Sequence, residues 1–144
     1  MLDARLRRLV DPALDRLCRP LAARGLPADA VTIAGFAIGV GAAAAIAAQA
    51  YLLGLGLLLL NRLFDGLDGA VARQRGLTDR GGFLDIVLDF LVYAAVPFAF
   101  ALAEPATNAL PAAFLVFSFV GSGTSFLAFA IMAAKRGITT ELRG

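Results

Sequence analysis

Asp65, Asp68, Asp85 and Asp89 crowd four carboxylates into 25 residues of otherwise apolar sequence. Asp65 and Asp68 are three residues apart, and Asp85 and Asp89 are four apart. Helical spacing of this kind puts each pair on one face, with side chains roughly 5–6 Å from each other. An ionisable group at the centre of a membrane span costs about 2.5–3.5 kcal/mol on insertion scales, so such groups face a cavity or a partner. Converging carboxylates repel one another unless a cation neutralises them. Carboxylate oxygens, with no sulfur or imidazole, select a hard ion such as Mg²⁺ or Mn²⁺. All four aspartates are therefore candidate metal ligands. The chain has no histidine, which excludes imidazole chemistry.

The residues around the carboxylates are small. Gly66, Gly69, Ala70 and Ala72 leave room for a large polar ligand to approach the backbone, and Arg73 at the end of this segment is a candidate phosphate clamp. Asn61 and Arg62 precede Asp65 by four and three residues, the spacing at which either side chain reaches that carboxylate and orients it.

Helices must position these groups, and composition says where. Of the 144 residues 60% are apolar and 17% charged, the balance of a membrane protein. Stretches of about 20 apolar residues span a bilayer, and four segments qualify, at about 30–50, 51–72, 82–102 and 108–134. Taking Arg73 and Gly81 as membrane-edge residues, Asp68 and Asp85 lie roughly 6–8 Å deep and Asp65 and Asp89 about 12 Å deep. The short links imply antiparallel neighbours. The fold expected is all-α: a polytopic membrane bundle of four spans (residues 25–144) behind an amphipathic surface helix (residues 1–24) whose leucines recur at helical spacing among six arginines. That segment lacks the uninterrupted apolar core of a signal peptide. Gly35, Gly39 and Ala43 place a small residue every fourth position on the first span, which permits close helix approach.

Apart from Arg62, which lies inside the second span, Lys and Arg fall before the first span, between the second and third, and after the fourth, and are missing from the other two links. The positive-inside rule then puts both termini and the carboxylates on the cytoplasmic side, as in a bacterial-type inner membrane. Cys18 is the single cysteine, so no internal disulfide forms. Nucleic acid is not an expected partner, because membrane topology accounts for the arginines. No Walker-type glycine loop is present.

The stretch from Asp65 to Asp89 reads D-x2-D-G-x2-A-R-x7-G-x3-D-x3-D, filled by Asp65, Asp68, Gly69, Ala72, Arg73, Gly81, Asp85 and Asp89. It resembles the signature of the CDP-alcohol phosphotransferases. The resemblance implies transfer of a substituted phosphate from a CDP-linked lipid, such as CDP-diacylglycerol, to an alcohol, with release of CMP, in phospholipid biosynthesis. It further implies Asp65, Asp68 and Asp85 as metal ligands and Asp89 as both a group near the metals and the general base. Two Mg²⁺ or Mn²⁺ ions are expected. Gly69, Arg73, Thr32 and Thr78 would contact the cytidine nucleotide and its phosphates. The segment from Leu26 to Thr32 also looks like the family's approach to its first span, with Asp29 where the family commonly has Asn. Family members usually have six spans, so the last two are expected to be missing here, the sequence being a fragment or a partner or second copy standing in their place. Lys135 and Arg136 are candidates to bind an anionic acceptor. Homodimerisation is expected, because four helices alone would wall the cleft poorly.

Two rival classes remain. Intramembrane carboxylates also mark cation or proton-coupled transporters, but these predict polar residues continuing to the outer face, and beyond Asp65 and Asp89 the spans are apolar apart from Tyr93. A non-catalytic membrane subunit is the other.

Overall fold

A computed structural model of the chain describes residues 27–137. The expected amphipathic helix at residues 1–24 lies outside them. Four helices follow one another: α1 (Ala28–Ala47), α2 (Tyr51–Arg75), α3 (Asp79–Ala103) and α4 (Pro105–Lys135). No strand occurs among the described residues, and the chain is an all-α bundle. α1, α3 and α4 are long and apolar enough to cross a membrane. α2 is as long as α3, at 25 residues, but carries Arg62, Asp65, Asp68 and Arg73 in its second half. The apolar helices make this an integral membrane protein.

The links are short and locally specified. Between α1 and α2 the chain reverses through Gln49, a non-glycine residue at φ 62°. Its side chain donates to the Ala103 carbonyl at 2.9 Å and so ties this turn to the end of α3. α2 stops at Gly76, whose φ of 102° is open to glycine and strained for other residues. Thr78 then starts α3, its hydroxyl oxygen accepting from the Gly81 amide at 3.0 Å as an N-cap. Asp79 in the first turn suits the positive end of the helix. Only Glu104 separates α3 from α4, and Pro105 opens α4 where its missing N–H costs nothing.

α1 is the hub of the bundle. It packs along both α2 and α3, whereas the backbones of α2 and α3 rarely approach each other, and α4 packs on α3. α2 and α3, expected as antiparallel neighbours, meet through side chains, Arg62 reaching Asp89 and Tyr93, while their backbones stay apart. Glycines let α1 approach both. A Cβ on Gly39 would lie 2.7 Å from Val92 on α3 and 3.2 Å from Asn61 on α2, and one on Gly35 would lie 3.1 Å from the Phe64 Cβ. The small-residue stripe continues from Gly39 to the fully buried Ala42 and not to the half-buried Ala43, since a three-residue step keeps the same face. At the carboxylate end, Val31 of α1 packs with Leu67, Ala70 and Val71 of α2. Inside a bilayer such close packing, and not exclusion of water, holds helices together.

Candidate metal and carboxylate site

The helical period places Asp65 and Asp68 on the face of α2 that looks toward Asp85 and Asp89 on α3. One carboxylate oxygen from each of Asp65, Asp68 and Asp85 lies within 4.8 Å of the others. Three convergent hard oxygens, with no softer donor among them, fit a divalent cation of the magnesium or manganese type. Asp68 is the most enclosed of the three at 5% exposed, while Asp85 opens to the surface. A notch lined by Thr32, Gly35, Phe36, Asn61, Leu88 and Val92 surrounds the four aspartates.

Asp89 lines the same notch but is engaged differently. Its Oδ1 receives the Arg62 Nη2 at 2.7 Å, and its Oδ2 accepts from the Tyr93 hydroxyl at 2.8 Å. Arg62 also lies 3.6 Å from the Asp65 carboxylate, so one guanidinium bridges the two deeper aspartates. Asn61 does not turn to Asp65. It is buried, donates to the Gly35 carbonyl at 2.9 Å, and accepts from Arg62 Nε and Nη2 at 3.1 and 2.8 Å. Among the described residues no buried side-chain nitrogen or oxygen lacks a partner.

The remaining candidates are spread around this centre. Thr32, half-buried on α1, lines the notch while its hydroxyl donates to the Ala28 carbonyl at 3.1 Å. Gly69 and Arg73 are adjacent in space. The Arg73 side chain reaches back along α2 until its Nη1 is 3.6 Å from where a Cβ on Gly69 would stand, so the glycine leaves that guanidinium free room. Thr78 caps α3 just beyond, next to Gly81, where a Cβ would lie 3.0 Å from the Thr78 hydroxyl and 3.3 Å from Asp29. Asp29 itself meets the exposed Arg80 at 3.4 Å. Lys135 and Arg136 are exposed at the end of α4, and no residue of α4 lines the notch.

Tyr93 is the residue that sequence reasoning passed over, noting it as a polar exception in an apolar run. Its signal was its position four residues after Asp89, which puts it on the same helix face. The ring is held by edge contact with Phe90 at 6.0 Å and by Phe119 of α4 at 6.1 Å. Beyond Tyr93, toward the far end of the bundle, runs an apolar groove of about 280 Å³ between α3 and α4, lined by Val96, Pro97, Phe100, Leu115 and Phe119.

Comparisons with known proteins identify the family. The family model for CDP-alcohol phosphatidyltransferase matches residues 26–144. The inner membrane protein YnjF of Escherichia coli (strain K12) is 55% identical over 138 residues, which cover 96% of this chain and 67% of that protein. Archaetidylinositol phosphate synthase of Methanothermobacter thermautotrophicus is 42% identical over 87 residues, 60% of this chain and 41% of that enzyme. The enzyme of the same name from Pyrococcus horikoshii is 35% identical over 100 residues, 69% of this chain and 53% of that enzyme. The chain thus spans about two thirds of the first relative and about half or less of the other two. No solved structure matches it significantly. With its signature carried on two helices that bring the carboxylates together, and with the family model matching all but the first 25 residues, the chain belongs to the CDP-alcohol phosphatidyltransferase family.

Proposed function

We propose that the protein transfers a phosphatidyl-type group from a CDP-linked lipid, such as CDP-diacylglycerol, to an alcohol and releases CMP. The observation that carries this reading is the convergence of Asp65, Asp68 and Asp85, with Asp89 beside them in the same notch. Asp65, Asp68 and Asp85 would hold the divalent metal, Mg²⁺ or Mn²⁺. Bound there, the metal neutralises charge on the diphosphate, which phosphoryl-type transfer requires. Asp89 is the general base. It takes the acceptor's hydroxyl proton as that oxygen attacks phosphorus, while the bond to the CMP oxygen breaks.

Arg73, beside Gly69, is placed to pair with a phosphate as a charged fork. Gly69 keeps the backbone approachable, and Thr32 and Thr78 complete the nucleotide side. The Thr78 oxygen accepts from Gly81, which leaves its proton to donate to a phosphate. The site lies at the end of the bundle where α2 ends and α3 begins, and the positive-inside rule assigns that end to the cytoplasm, in a bacterial-type inner membrane. A lipid donor then keeps its acyl chains in the bilayer and its nucleotide near water.

Two relatives are named for an inositol phosphate product, which favours a phosphorylated polyol as acceptor. Lys135 and Arg136, at the end of α4, supply cationic groups toward such an acceptor. A second copy of the chain would complete the walls of the cleft, because α4 buries only Ala112, Gly123 and Ala133 in the bundle.

The transporter reading is disfavoured by a specific contact. Tyr93 turns its hydroxyl back onto Asp89, and the groove beyond it is apolar. The polar path therefore ends at Tyr93.

The test is CMP release from CDP-diacylglycerol by purified protein with Mg²⁺ or Mn²⁺, across a panel of alcohols that includes inositol phosphate and glycerol phosphate. Release that stops with EDTA, requires one acceptor and falls roughly 10²- to 10⁴-fold in Asp89→Asn is the expected result. Binding of the donor without release from any acceptor would support a non-catalytic subunit, and absence of donor binding would overturn the transferase reading.

A further inference from the structure

Arg62 lies in the charged second half of α2, and its contacts explain why it is there. Its Nη2 meets Asp89 Oδ1 at 2.7 Å and its Nη1 donates to the Tyr93 hydroxyl at 2.9 Å. The Tyr93 hydroxyl in turn donates to Asp89 Oδ2 at 2.8 Å. Three side chains from two helices thus close a ring of hydrogen bonds around one carboxylate. Asn61 grips the guanidinium from behind and is itself fastened to the Gly35 carbonyl of α1. The guanidinium carbon also lies over the Tyr93 ring, 5.1 Å from its centroid, within cation–π range.

We infer that Arg62 and Tyr93 are positioning residues, which orient the Asp89 carboxylate as a base and keep it from turning into the cluster formed by Asp65, Asp68 and Asp85. Each carboxylate oxygen offers two acceptor sites. Arg62 takes one on Oδ1 and Tyr93 takes one on Oδ2, which fixes the carboxylate plane and leaves one site on each oxygen for an incoming hydroxyl. A carboxylate held by one contact would be free to rotate toward the metal ligands. Two contacts from different helices remove that rotation. Neither residue touches the reacting atoms, and both act through Asp89. The inference rests on the reading of Asp89 as the general base.

Tyr93→Phe is the informative variant because it keeps the ring, its contacts with Phe90 and Phe119, and its place over Arg62 while deleting the hydroxyl. The expected result is a fall in kcat of roughly 10- to 100-fold with the donor KM and the Mn²⁺ affinity, read by electron paramagnetic resonance, unchanged within about twofold. In an Asp89→Asn background the same change should cost nothing further, since residues that act as a unit are not additive. Arg62→Lys should fail to restore kcat, because one ammonium cannot meet Asp89, Tyr93 and Asn61 together. Multiplying losses in the double variant, a raised KM at constant kcat, altered Mn²⁺ stoichiometry in Tyr93→Phe, or full activity in Arg62→Lys would overturn the inference.

A readout without turnover separates this inference from the transferase reading. A carbodiimide adds to accessible carboxyl groups and spares those held as carboxylates in ion pairs and hydrogen bonds, and mass spectrometry locates the adduct. Labelling of Asp89 should rise severalfold in Arg62→Gln and in Tyr93→Phe relative to the parent protein. If the parent releases no CMP, the transferase reading fails and the labelling alone decides the positioning role, unchanged labelling overturning it.

Discussion

Arg62 on α2 and Asp89 on α3 form a 2.7 Å ion pair across 27 residues of sequence. The backbones of these two helices rarely approach each other and both pack along α1, so long side chains such as Arg62 make the link between them. The guanidinium has a second acidic neighbour, Asp65, at 3.6 Å. One fixed positive charge therefore sits between Asp65 of the candidate metal-ligand cluster and Asp89, the carboxylate proposed for proton transfer. Such an arrangement separates two tasks among four chemically identical side chains, and it yields variants whose effects should differ in kind.

Asp68→Asn and Asp85→Asn should each weaken Mn²⁺ binding by more than the roughly 10–100-fold that loss of an outer partner costs. Their convergent oxygens, within 4.8 Å of one another, are the reason. Titration of Mn²⁺ followed by electron paramagnetic resonance measures it, and equal affinity in either variant would remove that residue from the ligand set.

Gly39 is the point where three helices meet. Gly39→Ala would drive a methyl group to 2.7 Å from Val92 and 3.2 Å from Asn61, and such overpacking typically costs about 1–3 kcal/mol. Gly56→Ala is the control, since a Cβ there has nothing within 4 Å. Thermal unfolding in detergent should show a lowered midpoint for the first and an unchanged or slightly raised one for the second, alanine being the better helix former.

Loss of the Asn61 side chain should hurt twice. Asn61→Ala removes the donor to the Gly35 carbonyl and the acceptor behind Arg62, and leaving partly buried groups without partners costs about 1–3 kcal/mol. A lower unfolding midpoint is expected together with a reduced kcat, because Arg62 would no longer be braced. Full activity at permissive temperature would confine Asn61 to a folding role.

Thr78→Ala should destabilise the start of α3 by about 0.5–2 kcal/mol through loss of its bond from the Gly81 amide. Thr78→Ser restores an oxygen in the same place and should recover the stability. If Thr78 also donates to the nucleotide, the donor KM rises in the alanine variant and returns in the serine variant, whereas a change confined to the unfolding midpoint assigns it to capping.

What the sequence by itself determined is local and periodic. The intervals among Asp65, Asp68, Asp85 and Asp89 put each pair on a helix face, and the hardness of carboxylate oxygens set the expectation of a hard divalent ion. The apolar stretches announced an all-α membrane bundle, and the fixed positions from Asp65 to Asp89 announced the family. These follow from a period of 3.6 residues and from side-chain chemistry, which need no partner helix. Only the tertiary structure decided which side chains meet across helices. Arg62 was legible as a neighbour of Asp65, but its reach to Asp89 depends on how α2 and α3 are set apart and rotated. Tyr93 meets Asp89 and Arg62 through the same setting of the helices, and Asn61 turns to Gly35 because α1, thinned by its glycines, packs closely on α2. Long side chains choose partners by the distance and angle between elements, and those are properties of the packed bundle.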